Sequence, residues 1–167
     1  LSAVSMIVPV RVEGGESVFQ PAVLASEEYN DNIYLTPDHE FADFITRIVP
    51  AFQFAYRAPF WDWDVSYAYD YRYYVRSRFA ENDNHRASLA NQTRIVQDVF
   101  FLKVRDDYAR VSTDISRDFT QESSFVNQVE QNVFTASPYL VFTLSNQTRI
   151  STGYFYRNIW YKDPASI

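Results

Sequence analysis

From Trp61 to Tyr73 every second residue is large and apolar: Trp61, Trp63, Val65, Tyr67, Tyr69, Tyr71 and Tyr73, with Asp62, Asp64, Ser66, Ala68, Asp70 and Arg72 between them. Successive side chains of a β-strand point to opposite faces, so this segment has one face of rings and one of charges and small groups. A helix, with a period of ~3.6 residues, would scatter both sets around its circumference. The run exceeds the ~5–6 residues of an ordinary globular strand and suits the ~9–11 that a tilted strand needs to cross a bilayer.

Composition points the same way. Fourteen Phe, thirteen Tyr and three Trp make 18% of the chain, yet mean hydropathy is slightly negative at −0.31. A soluble core takes its bulk mainly from Leu, Ile and Val, whereas membrane barrels place aromatic residues in girdles at both bilayer interfaces. The net charge of −6 argues against nucleic acid, whose phosphates need a clustered basic surface. The absence of cysteine removes disulfides, thiolate chemistry and Cys-ligated zinc. Nothing approaches the ~18 consecutive apolar residues of a transmembrane helix, so a membrane location requires strands. Residues 1–16, apolar through Val10 and then Val12-Glu13-Gly14, read as a signal-peptide remnant or a disordered arm ahead of one β-barrel domain at 17–167.

Seven strands follow from the alternation. The first spans 18–34, with Phe19, Pro21, Val23 and Ala25 on one face. A short loop at Thr36–Glu40 leads to residues 42–57, where Phe44, Thr46, Ile48, Pro50, Phe52, Phe54 and Tyr56 alternate with Asp43, Arg47 and Arg57. Pro50 cannot donate to a ladder and calls for a bulge or a local gap. Ala58-Pro59-Phe60 turns into the aromatic strand, and a polar loop at 75–84 precedes a weaker strand at 85–96. After a turn at Gln97-Asp98, Phe100, Leu102 and Val104 are apolar, and then Ala109, Val111, Thr113 and Ile115. This change of parity predicts a bulge, or alternatively a turn, near Arg105-Asp106-Asp107. A polar loop at 118–131, a strand marked by Phe134 to Leu144, a turn at Ser145-Asn146-Gln147 and a last strand from Ile150 to Trp160 complete the chain.

Tight turns near 58, 97 and 145 alternate with longer polar loops near 79 and 125, as in outer-membrane barrels. The expected fold is all-β: an antiparallel, up-and-down transmembrane β-barrel, incomplete, with about seven strands of a larger barrel and therefore an N-terminal fragment. In that fold Phe52, Phe54, Tyr56, Trp61, Trp63, Tyr67, Tyr69, Tyr71, Tyr73, Phe142, Tyr154 and Trp160 face lipid. Arg47, Arg57, Asp62, Asp64, Asp70, Arg72, Arg94, Arg110, Asp114, Arg149 and Arg157 face the lumen, since ionisable groups are costly toward lipid. Such charges either tune which solutes pass or pair across strands as a lattice. Asn91-Gln92-Thr93-Arg94-Ile95 recurs as Asn146-Gln147-Thr148-Arg149-Ile150, an echo without a solenoid period.

Chemistry-bearing constellations are absent from the pattern. His39 and His85 stand in neither a Ser-His-Asp arrangement nor a ligand spacing; Asp31, Asp38 and Glu40, or Glu81–Asn84, offer oxygen ligands of the kind Ca²⁺ takes, but such acidic stretches read as solvated loops. No catalytic, metal or cofactor-binding residue is expected, and the chain reads as a non-enzyme.

The run from Phe19 through Glu28-Tyr29-Asn30-Asp31-Asn32-Ile33, the aromatic second and third strands, Arg110-Val111-Ser112 and Ser137-Pro138-Tyr139-Leu140 resemble the β-barrel porins of Gram-negative bacteria. The resemblance is closest to barrels found beside exopolysaccharide-export and exosortase systems and covers residues 17–162. It implies a bacterial outer-membrane location and a passive pore or export role for small polar solutes or polysaccharide. The partners it implies are outer-membrane lipid and lipopolysaccharide, the barrel-assembly machinery and polysaccharide-export components. The alternative is a soluble or secreted all-β module, a lipocalin-like barrel or sandwich, whose ring-rich face lines a ligand cavity.

Overall fold

The computed structural model describes residues 2–5, 8–12, 14–33, 41–76, 82–112 and 128–162, and these form one antiparallel sheet. Its strands are β1 (Ser2–Ser5), β2 (Val8–Val12), β3 (Gly15–Asn30), β4 (Asp43–Arg57), β5 (Trp61–Tyr74), β6 (Asn82–Val96), β7 (Phe100–Ser112), β8 (Gln128–Ser145), β9 (Thr148–Gly153) and β10 (Tyr156–Tyr161). From β3 to β8 each strand pairs with the next in sequence, an up-and-down meander. β1 and β2 both pair with β3 in one register, Ser5 opposite Ala22 and Val8 opposite Phe19. β9 and β10 likewise share a register on β8, with Tyr139 opposite Gly153 and Ala136 opposite Tyr156. The ten strands therefore occupy eight positions, and the sheet is open rather than closed. The segment read as a signal remnant or arm supplies the first of those positions.

Two prolines sit where the ladder is interrupted. The β4–β5 pairing skips from Ile48 to Ala51, leaving the gap that Pro50 called for. Pro138 lies across from the junction of β9 and β10, where Tyr154 N–H still donates to the Pro138 carbonyl at 2.9 Å. The bulge expected at Arg105–Asp107 does not form. β7 pairs without a break from Phe100 to Ser112 along β8, and the irregularity lies between Arg94 and Val96 of β6. Strand β6 starts at Asn82 and β8 at Gln128, so the polar ends assigned to loops are paired. Loop residues 36–40 lie outside the described residues. The echoed pentapeptides take different roles, Asn91–Ile95 within β6 and Asn146–Ile150 across a turn into β9.

A single-layer sheet has two faces and no interior. Among the described residues only Ile33, Ile45 and Tyr74 are buried apolar side chains. The chain exposes 12284 Å², where a compact soluble protein of 19.6 kDa exposes about 8,600 Å². The small buried cluster sits where the connection after β3 folds against β4 and β5. Asp43 there is fully buried, its carboxylate accepting the backbone N–H of Phe44 (2.8 Å) and of Arg76 (2.9 and 3.1 Å).

Candidate functional site

The registers sort the side chains without ambiguity. One face carries Phe52, Phe54, Tyr56, Trp61, Trp63, Tyr67, Tyr69, Tyr71 and Tyr73 on β4 and β5, joined by Phe142 on β8 and Trp160 on β10. Tyr154 lies exposed between β9 and β10. Ring contacts link neighbours on this face, Phe19 to Phe52 at 5.7 Å and Phe52 to Tyr67 at 6.0 Å. Large apolar residues stay half open here, Trp61 at 48% and Leu144 at 66%. An exposed contiguous patch of this kind marks a surface meant for something other than water.

The opposite face is lined with small residues and charges. One row runs Ala55–Asp64–Ala90–Arg105–Thr135–Arg157 from β4 to β10, and the next Gln53–Ser66–Ser88–Asp107. A hollow of about 380 Å³ is lined by Gln20, Gln53, Asp64, Ser66, Ser88 and Arg105, drawn from five consecutive strands. The charged face is thus concave and the aromatic face convex.

Arg47, Arg57, Asp62, Asp64, Asp70, Arg72 and Arg94 all lie on the concave face, and most are matched. Arg47 grips Asp70 with two hydrogen bonds of 2.8 and 2.6 Å, and Arg72 approaches the same carboxylate at 3.3 Å. Asp70 is buried beside the gap left by Pro50, where a two-pronged guanidinium satisfies both oxygens. Arg94 bonds Asp62 at 2.5 Å and donates to the carbonyls of Ala58 and Pro59, closing the turn between β4 and β5. Arg57 meets Asp64 at 2.6 Å, both ends in solvent. The lattice of cross-strand pairs, rather than a row of isolated charges, is what the sheet builds on β4 to β6.

Arg110 is a correction. With no bulge in β7 it points to the convex side beside Tyr108, 3.6 Å from Glu130, which also meets Lys162 at 3.2 Å. Asp114 lies outside the described residues. Arg149 and Arg157 fall on the concave face, exposed. The unbroken β7 also brings Arg105 and Asp107 to the concave side, which the parity change in the sequence obscured; Lys103, on that side under either parity, and Arg86 of β6 join them. Arg105 and Asp107 pair along the strand at 2.5 and 2.9 Å, and Ser88 donates to Asp107 at 2.7 Å. Lys103 lies over the Tyr139 ring at 5.2 Å.

His85 is on the convex face, Nδ1 at 2.7 Å from the Tyr67 hydroxyl, and His39 lies outside the described residues. No group of three metal-ligating side chains comes together among the described residues.

The stagger of the strands adds a geometric feature. The row Glu16–Arg57–Asp62–Gln92–Lys103–Ser137 crosses β4 at its last residue, yet meets β8 eight residues short of its end at Ser145. The apolar surface of the convex face moves with it. On β4 it runs from Phe44 to Tyr56; on β7 it begins at Val104 and on β8 it runs from Phe134 to Leu144, with Asp106, Arg110, Glu130 and Asn132 on the other side. The belt crosses the strands obliquely. The turns at Gly14, 58–60, 97–99 and 146–147 all lie at one end, and the strand ends Asn30 and Asp43, Tyr74 and Asn82, and Ser112 and Gln128 at the other. Compared with family models, with curated proteins and with solved structures, the chain matches none.

Proposed function

We propose that the protein is an outer-membrane β-barrel of the porin-like kind, a passive pore or export-associated barrel for small polar solutes or polysaccharide, with the convex face toward lipid and the concave face toward a water-filled lumen. The observation that carries this reading is the oblique belt. Strands in a barrel tilt by ~35–45° and step in register around it, so a level hydrocarbon layer must cut successive strands at shifted positions. Here the register and the apolar pattern, which are independent of each other, shift together. The one-sided placement of the tight turns supports the same reading, as does a sheet with almost no core of its own. Lipid, lipopolysaccharide and the barrel-assembly machinery are the partners this proposal entails; polysaccharide-export components rest on the family resemblance alone.

Cysteine labelling tests it cleanly, because the native chain has no thiol. In the full-length protein folded into vesicles, Asp64→Cys should react with a small water-soluble maleimide while Trp63→Cys is protected. Reaction at Trp63→Cys and protection at Asp64→Cys would sink the proposal and favour a soluble ligand-binding module.

A further inference from the structure

The concave charges are unequally divided across the sheet. Among the described side chains, β3 to β5 carry six acids there, Glu16, Glu28, Asp43, Asp62, Asp64 and Asp70, against Arg47, Arg57 and Arg72. From β6 to β10 the same face carries six bases, Arg86, Arg94, Lys103, Arg105, Arg149 and Arg157, against Asp107. One half has three acids in excess and the other five bases, in a chain whose overall charge is −6. The surplus is therefore placed, not a reflection of composition.

Pairing sharpens the division. The bases of β4 and β5 are each held by a carboxylate, at 2.6 Å for Arg47, 2.6 Å for Arg57 and 3.3 Å for Arg72. Among the described residues Arg86, Arg149 and Arg157 are exposed and meet no carboxylate, and Lys103 has only the Tyr139 ring. Arg105 and Arg157 flank Thr135, and Lys103 lies next to Ser137 on the same side. Hydroxyls thus stand among the cations, where an anion's oxygens can be bonded as well as attracted.

We propose that the concave surface of β6 to β10 is a binding face for small multivalent organic anions, carboxylates or phosphates, with Lys103 and Arg157 as the gripping residues and Arg86, six residues along β6 from the row of Lys103, adding to the attracting field. This rests on the pore reading for its biological meaning and on the charge geometry for its chemistry. In a lumen such a face raises the local concentration of anions over cations. Arg47 and Arg72, which the sequence alone makes equal candidates, are spent on Asp70.

The experiment pairs a binding measurement with a conduction measurement on the full-length protein folded in neutral detergent. Citrate binding is followed by calorimetry at low salt, with spermine as the opposite-sign control. The wild type should bind citrate and not spermine, and Arg86→Gln/Lys103→Gln/Arg157→Gln should weaken citrate binding about tenfold. Arg110→Gln/Lys162→Gln, which removes two cations from the convex face, should leave it unchanged. The same proteins in planar bilayers under a salt gradient should show anion preference in the wild type, reduced about twofold or more in the triple variant. Folding is checked by heat-modifiable migration; should the triple variant not fold, the single exposed change Lys103→Glu replaces it and should still weaken citrate. Channels without citrate binding, or citrate binding that the triple and convex variants reduce alike, overturn the proposal and leave the pore intact. Citrate binding lost in the triple variant, from a protein that never conducts, supports the anion face and removes the pore.

Discussion

The sheet has two halves made by the same alternation and put to different use. On β4 and β5 the concave charges are absorbed: Asp70 holds two arginines, Asp62 takes Arg94 of β6 to secure a turn, and Asp43 ties the ends of two connections together. On β6 to β10, Arg94 and the Arg105–Asp107 pair aside, they are displayed. The convex faces differ as well, ringed from end to end on β4 and β5 but carrying Asp106, Arg110 and Glu130 toward one end of β7 and β8. Which residues alternate decides where a charge points; whether it acts as scaffold or as surface depends on what the neighbouring strand sets beside it.

The largest effects should come from the convex face. Phe52 and Tyr108 lie on one row of the ladder, through Tyr67 and Ala87, yet the stagger leaves Phe52 inside the belt and Tyr108 at its margin. Phe52→Arg should cost about 2–4 kcal/mol in bilayer refolding titrations and Tyr108→Arg about 0–1. Equal costs would remove the oblique belt and with it the contrast between the halves. Next comes Asp43→Ala, which leaves the Phe44 and Arg76 amides without their buried acceptor and should cost about 2 kcal/mol; an unchanged denaturation midpoint would show that the clasp is idle. Asp70→Ala should cost about 1–2 kcal/mol, discounted because Arg47 is partly solvated, and the double variant with Arg47→Ala should recover part of that. Smallest is Arg157→Gln on stability, within about 0.5 kcal/mol, since an exposed cation with no carboxylate partner among the described residues has little to lose on replacement.

Much of this was legible. Strict alternation located β4 and β5 to within a residue or two and assigned their faces, because a ring on every second position leaves a strand no other arrangement. The reading failed where apolar residues face inward. Ala109 and Val111 lie on the concave side of β7, so a rule that apolar means outward turned an unbroken strand into a bulged one. That one error hid Arg105 and Asp107 and misplaced Arg110; Lys103, between the outward Leu102 and Val104, faces the concave side under either parity. The partners of Arg47, Arg94 and Asp62 were beyond reach for a different reason: each pair spans strands whose relative register is set by turn length and stagger, quantities that no single segment contains.

The unbroken register of β7 also says how a chain like this can change over evolutionary time. One residue inserted within a strand reverses every side chain from that point to the next turn, so that Lys103 and its neighbours exchange sides with Leu102 and Val104 in a single step. A whole hairpin gained or lost alters neither surface, since it enters in phase and leaves in phase. Length variation among descendants of this gene should therefore come as connections of differing size or as strands in pairs, and hardly ever as odd residues within a strand.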